Sequence, residues 1–255
     1  MIKSHSTFIL LSLVITTVLY INLRNPAPYV PEESREYAYY AGLAYCGKKC
    51  LEAWNCQGGK DLIHFGEVTH VNNLLTVASA YVGYEKQKNQ IIVSFRGSAN
   101  ARNWIEDFNF EKIKYNCKDC WIHEGFFEDY HIIEEKLNEV VGNLLKKYPT
   151  ASILNTGHSL GAALAVIGGM RLKAKFGKKT IVHNFGCPRV GNEAMAQYIA
   201  TRVDTLYRVV HNRDLVPHLP FEDMAYKHPA YEVFWDEKFS EHQICDKSGE
   251  DKNCS

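Results

Sequence analysis

The sequence predicts an α/β fold, a mostly parallel central sheet with helices on both faces, and three observations carry that expectation. From residue 76 onward β-rich runs alternate with helical ones, and such alternation implies parallel strands joined by covering helices. At 255 residues the chain has the length of one large α/β domain. Its 46% hydrophobic and 12% aromatic content supplies a core that a disordered chain would lack.

Residues 1–24 stand apart. Lys3 and His5 precede an apolar run over residues 8–23. A bilayer span needs roughly 17–25 residues, so this run sits at the short limit for an anchor and has the polar start and apolar middle of a signal peptide. The expectation is a signal peptide over 1–24, with a signal anchor as the alternative, and a secreted domain over 25–255 with no stable transmembrane span. Residues 25–31, with three prolines, read as an exposed leader.

The elements follow in order. Residues 32–44 are Tyr-rich and amphipathic and predict a helix. Runs 76–84 and 90–95, joined by the polar turn 85–89, predict an antiparallel hairpin. Over 124–147, Phe127, Tyr130, Ile133, Leu137, Val140, Val141, Leu144 and Leu145 recur at helical spacing, and the pattern stops before Pro149. Residues 151–155 read as a short strand and 160–176 as a helix apolar on most sides. Two further strands, 180–185 and 205–211, flank a helix over 192–202.

The formal net charge is zero, so no electrostatic case exists for a nucleic-acid partner. Lys146-Lys147 and Lys178-Lys179 read as solvated faces or helix ends. Eight cysteines fit an oxidising compartment. Cys245 and Cys254 lie in a polar tail that could not pack alone, so a staple there makes sense. Cys46, Cys50 and Cys56 cluster near the start, and Cys117 and Cys120 flank Lys118-Asp119. The sequence leaves the pairing open. A half zinc site at Cys117-x-x-Cys120 lacks a second pair at ligand spacing, so neither a metal nor a cofactor is expected.

The chemistry concentrates at Gly157-His158-Ser159-Leu160-Gly161, placed between a strand and a helix. A Gly-x-Ser-x-Gly turn holds its serine in a strained conformation above the sheet, and a Cβ at either glycine would collide with the neighbouring strand or helix. At the helix N-terminus the Leu160 N–H points at a developing oxyanion. Ser159 is therefore the candidate nucleophile. His158 beside it points elsewhere and reads as a packed or hydrogen-bonded histidine rather than the base.

Four segments resemble the class 3 lipases, the fungal-type triacylglycerol lipase family. They are Ile92-Val93-Ser94-Phe95-Arg96-Gly97-Ser98 running into Asn103-Trp104-Ile105-Glu106-Asp107, then the elbow itself, Gly186-Cys187-Pro188-Arg189-Val190-Gly191, and Val210-His211-Asn212-Arg213-Asp214-Leu215-Val216-Pro217-His218-Leu219-Pro220. The resemblance runs from about Tyr37 to the end of the chain. It implies the α/β-hydrolase fold with a helical lid, and ester hydrolysis of lipids at a lipid–water interface by a secreted monomer. By the same resemblance Asp214 is the triad acid. Chain order and its place just after a strand agree with that role. Ser98 becomes the second oxyanion donor beside Leu160. Residues 100–108 become the lid, with Trp104, Ile105 and Phe108 on one helical face together with Ala101. A plain amphipathic helix packed on the core remains the alternative for that stretch.

The resemblance places the triad histidine in an Asp-His-x-x-Tyr-like segment past the last cysteine pair, about a dozen residues beyond Ser255. The domain therefore reads as truncated at its C-terminus, with an impaired enzyme or a substitute histidine as the alternatives, and an early cysteine, Cys46, as lacking its partner. His211 and His218 lie too close to Asp214 in sequence to bridge it to Ser159. His228 corresponds to a histidine that related lipases carry apart from the base, and it reads as structural. His242 belongs to no motif. Two rival functions stand beside lipid-ester hydrolysis: a feruloyl-type esterase for soluble esters, and a catalytically impaired lipase-fold binding protein.

Overall fold

A computed structural model describes residues 28–53, 65–72, 78–100, 106 and 109–255. The expected signal peptide and the expected lid residues Trp104, Ile105 and Phe108 lie outside the described residues.

The sheet has eight strands: β1 (Phe65–Asn72), β2 (Ser79–Glu85), β3 (Gln90–Phe95), β6 (Ser152–Gly157), β7 (Thr180–Phe185), β8 (Thr205–His211), β9 (Glu232–Trp235) and β10 (His242–Ile244), in that spatial order. Pairing is parallel from β3 through β9 and antiparallel at both margins. The short pair β4 (Lys112–Lys114) and β5 (Trp121–His123) forms a separate hairpin. Among the described residues, helices α1 (Pro31–Leu43), α2 (Lys48–Ala53), α3 (Glu124–Lys147), α4 (Leu160–Phe176) and α5 (Glu193–Arg202) accompany the strands, with short 3-10 turns at Val216–His218 and Glu222–Met224. The expected hairpin, the two later strands and the long helices all stand within a few residues of their predicted limits. The 192–202 helix starts at Glu193 because Asn192 caps it, accepting the Met195 N–H at 3.0 Å.

Alternating side chains divide the core between the two faces. Ile91, Val93 and Phe95 of β3 pack with α3 and α4, whereas Ile92 joins Tyr37, Tyr40 and Leu43 of α1 on the opposite face. Buried α1 residues Ser34, Tyr37, Tyr40, Ala41 and Leu43 recur at helical spacing because only one stripe meets the sheet. The Tyr40 carbonyl accepts hydrogen bonds from Tyr81 Oη at 2.8 Å and Ser94 Oγ at 2.9 Å, which ties α1 to β2 and β3. Helix α4 is buried almost all round, since the sheet, α3 and α5 enclose it.

Below α1, Ser34 Oγ lies 2.9 Å from His183 Nε2, and the rings of Tyr29, Tyr37 and Tyr207 surround that imidazole. Burial pushes His183 down to about 3 from an ordinary value of 6.5. The folded protein thus keeps it neutral where the unfolded chain takes a proton. Its contribution is complete above pH 6.5 and is lost as pH falls from there towards 3. In urea titrations the native chain should lose stability on acidification through pH 6 to 4. His183→Gln should be shallower by up to about 1.4 kcal/mol per pH unit; an unchanged slope would refute the assignment.

The tail is fixed covalently and ionically. Cys245–Cys254 is a disulfide, as is Cys117–Cys120, so neither pair offers thiolates to a metal. Cys50 is disulfide-bonded too, while Cys46 and Cys187 are free. Arg208 on β8 is fully buried and donates to Glu232 Oε2 at 3.2 Å, to Pro229 O at 3.0 Å and to Gly249 O at 3.1 Å. Arg189 grips Glu250 with two hydrogen bonds, 2.9 and 2.7 Å.

Candidate active site

Ser159 joins β6 to α4 with φ +58° and ψ −127°. A non-glycine residue held there stores roughly 1–3 kcal/mol of strain, and its flanking glycines make the turn possible. A Cβ on Gly157 would lie 2.4 Å from Gly161 O, and one on Gly161 would lie 2.2 Å from Phe95 O. Backbone thus meets backbone on both sides of the serine. The Ser159 N–H donates to Phe185 O at 3.1 Å, which holds the elbow against the end of β7. Its hydroxyl is buried and has no hydrogen-bond partner among the described residues. Leu160 occupies the first helical position, where an N–H has no intrahelical acceptor.

Ser98 follows β3, whose Phe95 pairs in register with Gly157, so the strand carries it to the same end of the sheet as the elbow. It is half-buried. The intervening Gly97 touches the elbow directly: its Cβ would fall 2.5 Å from His158 O and 2.2 Å from Tyr45 Oη.

Asp214 sits in the loop after β8. Its Oδ1 accepts the Val216 N–H at 3.0 Å and its own N–H donates to His211 O at 3.1 Å. Oδ2 lies 2.6 Å from the position a Gly186 Cβ would take, and His158 Cδ2 lies 3.7 Å from that same position. Gly186, with φ +56°, therefore belongs to the candidate site, although the sequence singles it out only as the first residue of the Gly186-Cys187-Pro188-Arg189 segment. Its signal was a glycine immediately after a buried strand. The conformation and the missing side chain let Asp214 approach the elbow.

His158 lies 3.0 Å through Nδ1 from the Tyr45 hydroxyl. Burial lowers its pKa and the Asp214 charge opposes the shift. It is nonetheless an exposed, hydrogen-bonded side chain on the cleft wall, which agrees with the hydrogen-bonded half of the expectation and not with a packed imidazole. Tyr45, at the end of α1, is the second residue that sequence reasoning missed, because its partners are distant in the chain.

His228 is buried with Nε2 2.8 Å from Pro217 O, and burial beside Arg208 and Arg189 drives its pKa well down. It is structural. His242 stacks on Trp235 and packs against Tyr29. His211 stacks on Phe239 and lies 3.2 Å through Nε2 from Glu237 O. None of these is brought to the Ser159 hydroxyl. The Ser34–His183 bond belongs to the packing under α1 and involves a different serine.

A cleft of about 1290 Å³ opens beside Asp214, between α1 and the carboxyl ends of β7 and β8, with Ala38, Tyr45, His158, Gly186 and Trp235 among its walls. In open parallel sheets this is where ligands bind. Glu232, Cys245 and Cys254 stand close enough to suggest a metal cluster. The two cysteines form a disulfide and the carboxylate already accepts from Arg208 and from the Ser255 N–H, so that group is not built for an ion. Among the described residues no helix is long and apolar enough to cross a membrane.

A parallel sheet, a serine on a strained strand-to-helix turn and a carboxylate after a later strand define the α/β-hydrolase class. A profile described as lipase (class 3) matches residues 92–224, more than half of the chain. The lipase of Rhizopus niveus is 33% identical over 236 residues, which is 88% of this chain and 59% of that protein. Secreted mono- and diacylglycerol lipase 1 of Fusarium solani is 32% identical over 83% of this chain and 68% of its own length. The solved lipase II of Rhizopus niveus superposes with a TM-score of 0.82 at 32% identity, covering 88% of this chain and 87% of that one. The chain belongs to the class 3 lipase family, and it spans 59% of the length of the Rhizopus niveus lipase whose sequence it matches.

Proposed function

We propose that this protein hydrolyses carboxylic esters of lipids, exported from the cell and acting at a lipid–water interface through an acyl-enzyme. The observation that carries the reading is Ser159, buried and held at φ +58° on the strand-to-helix turn at the start of α4, its hydroxyl without a partner among the described residues. Ser159 Oγ attacks the ester carbonyl, and the Leu160 N–H with the Ser98 N–H and hydroxyl receives the oxyanion. A histidine oriented by Asp214 takes the serine proton and delivers it to the departing alcohol; water then releases the acyl group. That histidine is not assigned to any described residue. Trp104, Ile105 and Phe108 are proposed as the apolar face of a lid that turns towards lipid. The names of the fungal relatives support acylglycerols as the substrate class.

A fluorophosphonate probe should label the native chain and leave Ser159→Ala unlabelled. A folded but unlabelled native chain would instead support the impaired, lipid-binding reading. Given labelling, a rate that jumps above the solubility limit of a short triacylglycerol marks a lipase; smooth saturation marks a soluble-ester esterase.

A further inference from the structure

We propose that Asn253 is an N-glycosylation site. Asn253-Cys254-Ser255 is an Asn-x-Ser acceptor with no proline at the middle position, and such acceptors are used on exposed segments of exported proteins. Placement satisfies the physical requirement. Asn253 is exposed, and its side-chain Nδ2 makes one contact, a hydrogen bond to Asp251 Oδ1 at 3.1 Å. The same oxygen accepts the Asn253 N–H at 3.0 Å, so a local turn presents the amide on the tail's outer side.

The next residue gives the site a position in the fold. Cys254 is bonded to Cys245 with Cα atoms 6.3 Å apart, and Cys245 directly follows the edge strand β10. Among the described residues that strand pairs only with β9. All three of its residues are exposed, and Ile244 is 49% accessible. An unpaired, partly apolar edge is a template for association with another chain. A hydrated glycan on Asn253 stands beside that edge and obstructs such pairing.

In the transfer, Asn253 Nδ2 forms a bond to the anomeric carbon of an oligosaccharide carried on a lipid diphosphate. The bond from that carbon to the diphosphate oxygen breaks, the lipid diphosphate leaves with the electron pair, and the amide proton passes to a base of the transferase. The Cys245–Cys254 bond restrains the acceptor, so transfer is favoured before that disulfide closes.

The proposal rests on export of the chain, and its test separates the two. The full chain is produced in a fungal secretory host, once with its own first 24 residues and once behind a leader of known function. Material recovered from the medium is treated with peptide N-glycosidase in heavy-oxygen water. Expected is heavy-labelled aspartate at position 253, lost in both Asn253→Gln and Ser255→Ala. Cys245→Ser/Cys254→Ser, which keeps the Asn-x-Ser pattern, should raise occupancy. Secreted chain with only unmodified Asn253 behind either leader would overturn the proposal, whereas failure of the native leader alone would count against export. Asn253→Gln should also aggregate faster than the glycosylated chain on agitation; equal rates would overturn the shielding role.

Discussion

Gly161→Ala is expected to abolish the active protein. The added methyl would sit 2.2 Å from Phe95 O, 2.9 Å from Arg96 C and 2.9 Å from Gly97 N. All three are main-chain atoms at the end of a fully buried strand, so none can rotate away as a side-chain tip would. Relief requires α4 to lift from β3, the contact that sets both Leu160 and the approach to Ser98. We expect a loss on the order of 4 kcal/mol, a large share of the 5–15 kcal/mol typical of a domain, and no fluorophosphonate labelling. Gly142 is the control. It lies inside α3, where a new Cβ would meet only Phe176 at an ordinary 3.5 Å. Gly142→Ala should stabilise by about 0.5–1 kcal/mol through helix propensity alone. If Gly161→Ala melts within a degree or two of the native chain and still labels, the close-packed account of the elbow is wrong.

What the sequence made legible is what is decided locally. The elbow declares itself because two glycines, a serine and the strand-to-helix switch are contiguous, and α4 and β7 match their predicted limits because each is bounded by turn residues. Strand β9 was not read. Glu232-Val233-Phe234-Trp235 has no alternation to find, since Glu232 is itself buried against Arg208. Strand β1 was missed for a related reason: its register slips between Phe65 and Val68, which breaks the period. The Gly186–Asp214 approach and the Tyr45–His158 contact join residues separated by 28 and 113 positions, and nothing in either neighbourhood points to the other. The cysteine pairing was open to sequence, yet both described disulfides are local, three residues apart at Cys117–Cys120 and nine at Cys245–Cys254, and the second closes the polar tail where a staple makes sense.

The Arg208–Glu232 pair should show the second large effect. Inside a strand reading Leu-Tyr-Arg-Val-Val, Arg208 resembles an outward-facing charge, yet it is fully buried. Burial pulls its pKa down and the Glu232 carboxylate works against that shift. Glu232→Gln leaves the guanidinium charged in the interior with its counter-ion gone, and this should cost about 3–5 kcal/mol. Arg208→Met strands the carboxylate instead and also orphans Pro229 O and Gly249 O, which Arg208 now satisfies. It should cost at least as much. The double variant Arg208→Met/Glu232→Gln removes both charges, so its loss should fall short of the sum of the singles by about 1–3 kcal/mol. Denaturant titration of the four proteins measures that coupling, and strict additivity would show that the pair is electrostatically idle. The consequence reaches the site because β8 and β9 run in parallel register from Arg208 with Glu232 to His211 with Trp235, and Asp214 follows three residues later. Where the single variants still fold, labelling of Ser159 should slow more than their loss of stability alone predicts if Asp214 is the triad acid proposed above, since its loop leaves the strand that the pair anchors.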